Sequence, residues 1–384
     1  MKRIDLIATA AFGLESEVAY ELRKLGYEDQ QVEGGRITFR ADVKAIARTN
    51  LWLRTADRVQ LRMGEFSART FDELYDQVRA LPWADILPED AEFPVDGKSV
   101  KSQLSSVPAV QGVVKKAIVD AMAERYKRTI LPETGARYRC QVALLKDVAT
   151  LTIDTTGDGL HKRGYRPIVA PAPLKETLAA GLILVSRWHP DRPFADPLCG
   201  SGTIPLEAAM IGLNRAPGRY RKFDSEAWPL VPPEVWQEAR QEADDLLVRD
   251  RTLQIVGSDI SAEAVKLARF HAEQAGLSEH VRFEVKPVKD FQAQGEYGFI
   301  ITNPPYGERL GEEKEVEQLY REMGEAFGKA PTWSSFVLTS FERFEHFFGK
   351  PAAKKRKLYN GRIRCDLYQY PGPRRPRPQA PVEG

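Results

Sequence analysis

The segment ITNPPYGERLG, residues 301–311, combines residue types that could take part in chemistry. Asn303 is followed by two prolines, each of which fixes its own φ angle and lacks a backbone donor. The residue before a proline is kept out of the helical region, so the segment is predicted to be extended and stiff. A stiff loop with free carbonyl groups could hold a flat group that carries N–H donors. In isolation, a tight exit from a strand is the better interpretation.

A second motif, DPLCGSGTIPLEAA from Asp196 onward, places an acid before a two-glycine loop and a predicted helix. Gly200 and Gly202 let the backbone approach a ligand closely, and the helix start offers free N–H groups. No lysine follows the second glycine, and residue 205 is proline, so neither the phosphate-binding loop nor the dinucleotide fingerprint fits. The acid favours a cationic ligand. S-adenosylmethionine, with its ammonium and sulfonium groups, therefore suits the loop better than NAD.

Two further acids follow predicted strands. Asp259 ends LQIVGSDI, where a ribose diol is held in dinucleotide folds, but it lies 63 residues beyond Asp196 instead of the usual ~20. A mostly helical insertion, residues 214–250, accounts for the excess. Asp290 is predicted to meet an adenine amino group, with Phe291 beside the ring. A helix N-cap for Asp259 and a purely structural turn at Asp290 are the alternatives.

Together these motifs predict methyl transfer to the exocyclic amine of a base. If the Asn303 side-chain oxygen and the Pro304 carbonyl both accept the amine hydrogens, the nitrogen lone pair turns towards the donor methyl. Tyr306 would stack on the base, which contributes about 1–3 kcal/mol on comparable platforms. The base must leave its stack to reach such a pocket. Sulfonium is a good leaving group, so positioning supplies most of the catalysis.

The elements that must position these residues alternate between strand and helix from about Lys175 onward. Apolar, β-branched runs separated by helices predict a doubly wound parallel sheet, whose ligands bind outside the carboxyl ends of the strands. Residues 1–65 and 71–153 each predict a smaller α+β unit. In the helix SAEAVKLARFHAEQAGL the apolar stripe is Val265, Ala268, Ala272 and Ala275, and His271 is predicted to be solvated.

Composition narrows the class of protein. The chain has 384 residues, 42% of them hydrophobic, and a net charge of +2. Three cysteines, odd in number and far apart, predict neither a disulfide framework nor a metal site, and the histidines show no ligand spacing, so no metal is expected. No export signal or membrane span is recognisable, which predicts a soluble, cytoplasmic protein. Basic runs at 161–166 and 354–357 and the pair Arg362 and Arg364 are predicted to contact phosphates, although a solvated face is the default for such runs.

At GDGLHKRGYR, APLKETLAAGLI, DPLCGSGTIPLEAAMI, GSDIS and TNPPYGERLG, in that order, the chain resembles the THUMP-domain guanine-N2 methyltransferases of bacterial large-subunit ribosomal RNA (the RlmL-like family). The resemblance covers nearly the whole chain. It implies an α/β fold: a ferredoxin-like domain (1–65), a THUMP RNA-binding domain (66–160) and a class I, Rossmann-like methyltransferase domain (161–374). A Pro/Arg-rich tail (375–384) has no match.

The resemblance also implies the site residues. Those predicted to bind S-adenosylmethionine are Thr177, Leu178, Asp196, Cys199, Gly200, Ser201, Gly202, Asp259, Ile260, Asp290, Phe291 and Asn303, and the catalytic residues are Asn303, Pro304, Pro305 and Tyr306. The implied product is N2-methylguanosine in 23S ribosomal RNA near the peptidyl transferase region. Some family members carry a second methyltransferase domain, so only one activity is carried over. Transfer RNA as substrate, adenine-N6 methylation of DNA and a non-catalytic ribosome-assembly factor remain alternatives.

Overall fold

In the computed structural model the described residues are 3–167, 174–305 and 313–376. They group into two compact units. The first unit comprises Met1–Ala10, Val18–Leu160 and Ala216–Asp245, and the second comprises Ala11–Glu17, His161–Arg215 and Leu246–Gly384.

Strands and helices alternate along much of the described chain. Residues 3–167 form β1 (Ile4–Ala10), α1 (Glu15–Lys24), β2 (Gln30–Glu33), β3 (Arg36–Ala41), α2 (Lys44–Trp52), β4 (Ala56–Ser67), α3 (Phe71–Arg79), β5 (Val95–Val100), α4 (Val107–Tyr126), β6 (Cys140–Leu145) and β7 (Val148–Asp154). Residues 174–305 form α5 (Glu176–Ser186), β8 (Phe194–Asp196), α6 (Thr203–Gly212), α7 (Pro233–Asp245), β9 (Ile255–Asp259), α8 (Ala262–Gln274), β10 (Arg282–Val285) and β11 (Phe299–Thr302). Residues 313–376 form α9 (Glu313–Gly328), β12 (Ser334–Thr339), α10 (Phe344–Phe348), β13 (Lys354–Asn360) and β14 (Ile363–Tyr370).

The first unit is built on a seven-stranded sheet in the order β2-β3-β1-β4-β7-β6-β5. All neighbouring strands are antiparallel except β5 and β6. The predicted insertion completes this unit's core: the Trp228 ring stacks on Tyr138 with centroids 4.5 Å apart, and Arg48 pairs with Glu242 of α7 at 2.6 Å. Residues 216–245 therefore pack with the first unit, although they lie within the predicted methyltransferase domain, 161–374.

The second unit contains a seven-stranded sheet in the order β10-β9-β8-β11-β12-β14-β13. The first five strands are parallel, and β14 and β13 are antiparallel to their neighbours. All residues of β11 and β12 are buried, as expected for strands covered on both faces. Leu14, from the predicted ferredoxin-like domain, is buried in this unit's core. The Rossmann-like fold is confirmed. Residues 11–17 lie within the predicted ferredoxin-like domain, 1–65, but pack with the second unit.

The strand register shows that the parallel strands end at one edge of this sheet, which we call the carboxyl edge. It is formed where β8, β9, β10, β11 and β12 end. Asp366 of β14 lies opposite Thr339 at the end of β12, and Asn360 of β13 lies opposite Ile363. The β13–β14 hairpin therefore continues past the carboxyl edge.

The three cysteines, Cys140, Cys199 and Cys365, are free thiols, and all are buried. Within the described ranges, no helix has the length and apolar character needed to cross a membrane.

Candidate active site

The carboxyl edge of the second unit brings together three of the predicted site residues. Asp196 ends β8, Asp259 ends the neighbouring β9, and Asn303 follows β11 on the other side of β8. Two hydrogen bonds connect these strand ends. The Asp259 Oδ2 accepts from the Gly200 amide at 2.9 Å, and the Asp196 Oδ1 accepts from the Thr302 hydroxyl at 2.6 Å.

The loop between Asp196 and α6 needs its two glycines for different reasons. Both have positive φ angles, +52° at Gly200 and +85° at Gly202. A Cβ at Gly200 would meet no atom within 4 Å, so the space above this residue is open to a ligand. A Cβ at Gly202 would lie 2.9 Å from the Phe283 ring and 3.0 Å from Ala268, so only glycine lets the loop pack at this point. The loop therefore fits a ligand that approaches the backbone at Gly200.

The Asp196 carboxyl is 1% exposed, and burial raises its pKa to about 7, although the Thr302 hydroxyl and the Leu198 amide oppose the shift. Burial disfavours the charged form, and a cation nearby would favour it. Near neutral pH this carboxyl is therefore sensitive to the arrival of a positively charged ligand.

Each side-chain oxygen of Asp259 accepts one hydrogen bond from a backbone amide. Oδ2 accepts from Gly200 and Oδ1 accepts from the Ser261 amide at 2.9 Å. The N-cap of α8 is Ser261, whose hydroxyl accepts from the Ala264 amide, so the alternative of Asp259 as the N-cap is wrong. A carboxylate oxygen can accept a second hydrogen bond, so both oxygens can still receive the hydroxyls of a diol. Ile260 is 72% exposed beside it.

Asp290 and Phe291 follow β10 at the end of a short 3-10 turn, Val288–Asp290. Asp290 is exposed. The half-buried Phe291 ring contacts Phe327 and Trp333 edge-on, with both centroid distances 5.9 Å. It also lines a cavity of about 190 Å³ beside β8, β9 and β10. Other residues lining this cavity include Pro197, Ser258 and Lys286. The adenine-side role of both residues stays a prediction.

The orientation of the Asn303 side chain is set by one hydrogen bond. Its Nδ2 donates to the Leu338 carbonyl of β12 at 2.8 Å. A carbonyl can only accept, so the nitrogen must face Leu338 and Oδ1 is left for another donor. Pro304 is buried and Pro305 is half-buried. Tyr306, the predicted stacking residue, lies outside the described residues.

The remaining predicted residues surround the loop. Thr177 and Leu178 are buried in the first turn of α5, and Leu178 packs in the core that α5 shares with α6. Cys199 is buried, and this burial raises the pKa of its thiol, so the thiol is protonated at neutral pH. In the described part of the chain, no group of three or more metal-ligating side chains is present.

His271 is a functional candidate that the sequence pattern did not reveal. It was predicted to be solvated, and this is wrong: the side chain is 0% exposed and its Nδ1 lies 3.0 Å from the Ser201 carbonyl. Because a carbonyl only accepts, Nδ1 is the protonated nitrogen. The histidine therefore supports the glycine loop through this hydrogen bond to Ser201. His271 lies three residues after Ala268 and one before Ala272, within the apolar stripe of the helix. This spacing was the signal in the sequence that indicates its burial.

Two arginines of the basic run 161–166 form ion pairs within the second unit. Arg163 pairs with Glu207 of α6 at 3.2 Å, and both side chains are buried. Arg166 pairs with Glu176 of α5 at 2.9 Å. These arginines therefore hold the two helices that flank the glycine loop, and the prediction that they contact phosphates is wrong.

Comparison with family models places three known domains along the chain. Residues 163–369 match the model described as RMKL-like, methyltransferase domain. Residues 5–60 match the RlmL ferredoxin-like domain, and residues 68–154 match the THUMP domain.

Two named relatives are similar over most of the chain. The "Putative RNA methyltransferase YpsC" of Bacillus subtilis (strain 168) is 51% identical over 372 residues, which cover 96% of each chain. The "Ribosomal RNA large subunit methyltransferase K/L" of Syntrophotalea carbinolica is 37% identical over 383 residues. That match covers 96% of this chain but only 53% of the K/L protein, so the chain spans about half of that relative.

Solved structures with the same fold are available at high identity. A "predicted N6-adenine-specific DNA methylase" from Listeria monocytogenes superposes with a TM-score of 0.93 at 56% identity, covering 97% of both chains. SMU.472, described as "a putative methyltransferase complexed with SAH", superposes with a TM-score of 0.93 at 48% identity, covering 98% of this chain and 100% of that one.

Proposed function

Since the chain belongs to the family of RlmKL-like RNA methyltransferases, we propose that it methylates the N2 amine of a guanosine in 23S ribosomal RNA near the peptidyl transferase region. S-adenosylmethionine is the methyl donor. It supplies an electrophilic methyl group on a sulfonium sulfur, and the residues of the chain position the acceptor and the donor.

The observation that carries this proposal is the orientation of Asn303. With Nδ2 bound to the Leu338 carbonyl, Oδ1 is available to accept a hydrogen from an exocyclic amine. A second acceptor is expected at the Pro304 carbonyl. Two acceptors hold both hydrogens of the amine and direct its lone pair, which is otherwise delocalised into the purine ring. After transfer the amine releases a proton to solvent, so no strong general base is required.

In this proposal the acids of the carboxyl edge bind S-adenosylmethionine. Asp196, buried and with its pKa raised, pairs with the ammonium group of the methionine moiety. Asp259 accepts the ribose hydroxyls through the second lone-pair positions of its oxygens. Thr177, Leu178, Cys199 and Ser201 enclose the methionine end, and Ile260, Asp290 and Phe291 enclose the adenine.

The test is transfer of a tritiated methyl group from S-adenosylmethionine to unmodified 23S ribosomal RNA and, separately, to transfer RNA, followed by nucleoside analysis. N2-methylguanosine in the 23S sample alone is the expected result. The same nucleoside in transfer RNA alone would keep the mechanism and reject the substrate. N6-methyladenosine would reject guanine as the acceptor.

A negative result with both RNAs calls for an assembly-intermediate substrate in the same assay. Calorimetry then separates the remaining possibilities. If the protein binds no S-adenosylmethionine, the proposed activity is rejected and the non-catalytic RNA-binding assembly factor is favoured.

A further inference from the structure

The β13–β14 hairpin extends beyond the carboxyl edge on the side of the catalytic strand. Asp366 is level with Thr339, and the hairpin continues from Asp366 to Ile363. Three residues of strand span roughly 10 Å. Two strand spacings, also roughly 10 Å, separate β14 from β11, which Asn303 follows. The tip of the hairpin thus lies close to the edge where a target base must enter.

The outward face of this tip is basic and aromatic. Leu358 and Cys365 point into the core and are fully buried. Their neighbours alternate to the other face, where Tyr359 lies opposite Arg364 and the Lys357 ammonium is 5.6 Å from the Tyr359 ring. Arg364 is 3.8 Å from the half-buried Asp366, but the arginine itself is exposed, so this ion pair contributes little.

Two more residues complete this surface. Arg362 is exposed in the turn of the hairpin. The Phe12 ring packs edge-on against Tyr359, with centroids 5.8 Å apart and an interplanar angle of 87°. Phe12 remains 56% exposed, which is unusual for a phenylalanine. We call Phe12, Lys357, Tyr359, Arg362 and Arg364 the hairpin surface.

Two other basic residues of the KKRK run, Lys355 and Arg356, have partners within the second unit. Lys355 pairs with Glu345. Arg356 donates to the Gly13 carbonyl at 2.9 Å and to Glu17 at 3.0 Å, so it fixes the segment that carries Phe12. The structure therefore separates basic residues that hold the fold from those that face outward at the tip.

We propose that the hairpin surface binds single-stranded RNA next to the target nucleotide. Lys357, Arg362 and Arg364 contact phosphates, and the Tyr359 and Phe12 rings stack on an unpaired base. Cations beside exposed rings are the combination by which proteins hold single-stranded nucleic acid. The inference rests on the proposed function, because a base drawn into the site leaves its neighbours unstacked and available to these rings.

The first test compares the triple variant K357A/R362A/R364A with wild type in filter binding. The probes are unmodified 23S ribosomal RNA and a labelled unstructured RNA oligonucleotide, each at several salt concentrations. Losing three phosphate contacts should weaken binding about tenfold and reduce the slope of log K against log salt by about 2–3. The affinity for S-adenosylmethionine, measured by calorimetry, should stay within about twofold of wild type because the cofactor loop is unchanged.

Lys329 provides the matched control. It is an exposed lysine of the same unit, but it follows α9 and precedes β12, at the opposite edge of the sheet. K329A should bind RNA with wild-type affinity and salt slope. If the triple variant behaves like K329A, the hairpin does not contact RNA and the proposal is overturned.

A second variant, F12A, tests the aromatic part. Loss of stacking should weaken oligonucleotide binding about tenfold without altering the salt slope. Unchanged affinity would overturn the stacking role. Binding is measured without methyl transfer. A wild-type protein that binds RNA but does not methylate 23S ribosomal RNA would therefore reject the proposed substrate, and the binding of the variants would still test the hairpin surface. A wild-type protein that binds neither RNA would overturn the hairpin proposal and leave the proposed function to the assay with the assembly intermediate.

Discussion

Asn303 and Asp259 lie at the same edge of the sheet but are assigned to different partners, so their variants should separate binding from catalysis. N303A removes the acceptor that faces the amine, and we expect turnover to fall by at least about 10²-fold. Its affinity for S-adenosylmethionine should stay nearly unchanged. D259A should instead weaken cofactor binding, because it removes both acceptors for the ribose. Turnover and calorimetric affinity measured on both variants check this, and equal loss of cofactor affinity in both would remove the role given to Asn303.

The raised pKa of Asp196 predicts a pH dependence. A raised pKa favours the protonated carboxyl, so its contribution to the stability of the free protein is complete below about pH 4 and is lost as pH rises through about 7. Binding of a cation requires the ionised form. Affinity for S-adenosylmethionine should therefore increase about tenfold between about pH 6 and pH 8.

D196N is the control for that measurement, because the ligand itself also titrates. The variant should bind the cofactor weakly and lack the part of the pH dependence that belongs to the carboxyl. A pH profile in D196N that parallels wild type would assign the titration to the ligand.

His271 is expected to act as a positioning residue for the glycine loop. H271L leaves the Ser201 carbonyl without its donor, which typically costs about 1–3 kcal/mol. We expect a KM for S-adenosylmethionine raised about tenfold with little change in kcat. H271N keeps an N–H donor near the same place and should recover part of the affinity. If both variants lose only thermal stability and keep the wild-type KM, the histidine has a packing role alone.

At the scale of elements, the Arg163–Glu207 pair holds α6 against the segment that precedes α5. R163M should destabilise the protein by about 3–5 kcal/mol, because it leaves a buried carboxylate uncompensated. The double variant R163M/E207M should recover most of that loss, since apolar replacements of a buried ion pair are often neutral. Urea unfolding of the two single variants and the double variant measures the coupling. Additive losses would show that the pair is not coupled.

The elements that position the site could largely be predicted from the sequence. Apolar runs such as FIIT and SSFVLT predict strands buried on both faces, and the alternation with helices predicts the parallel sheet. Local patterns do not show which distant segment a side chain meets. For this reason the sequence did not predict the burial of His271 and Arg163 or the packing of residues 216–245 in the first unit. The order of the elements did predict that Asp196, Asp259 and Asn303 lie at strand ends.

At the scale of the whole molecule, each unit depends on a segment from elsewhere in the chain. A fragment of residues 1–160 lacks Trp228, whose ring stacks on the buried Tyr138. We expect this fragment to have near-native secondary structure but to lose its near-ultraviolet circular dichroism and to bind a hydrophobic dye. Co-expression with residues 216–245 as a separate peptide should restore the near-ultraviolet signal. A fragment that unfolds cooperatively on its own would contradict the prediction.

This exchange of segments sets an order for folding during synthesis. Domains generally fold from the N-terminus as they leave the ribosome. In this protein the first unit cannot complete its core until Asp245 has emerged. By then the strand that carries Asp196 and the whole of the glycine-loop helix have already been made. Residues 11–17 precede most of the first unit in the chain but must wait for the second unit. The RNA-binding half and the catalytic half of the enzyme should therefore mature together, late in translation, with no folded N-terminal intermediate that could occupy RNA before a methyl group can be transferred.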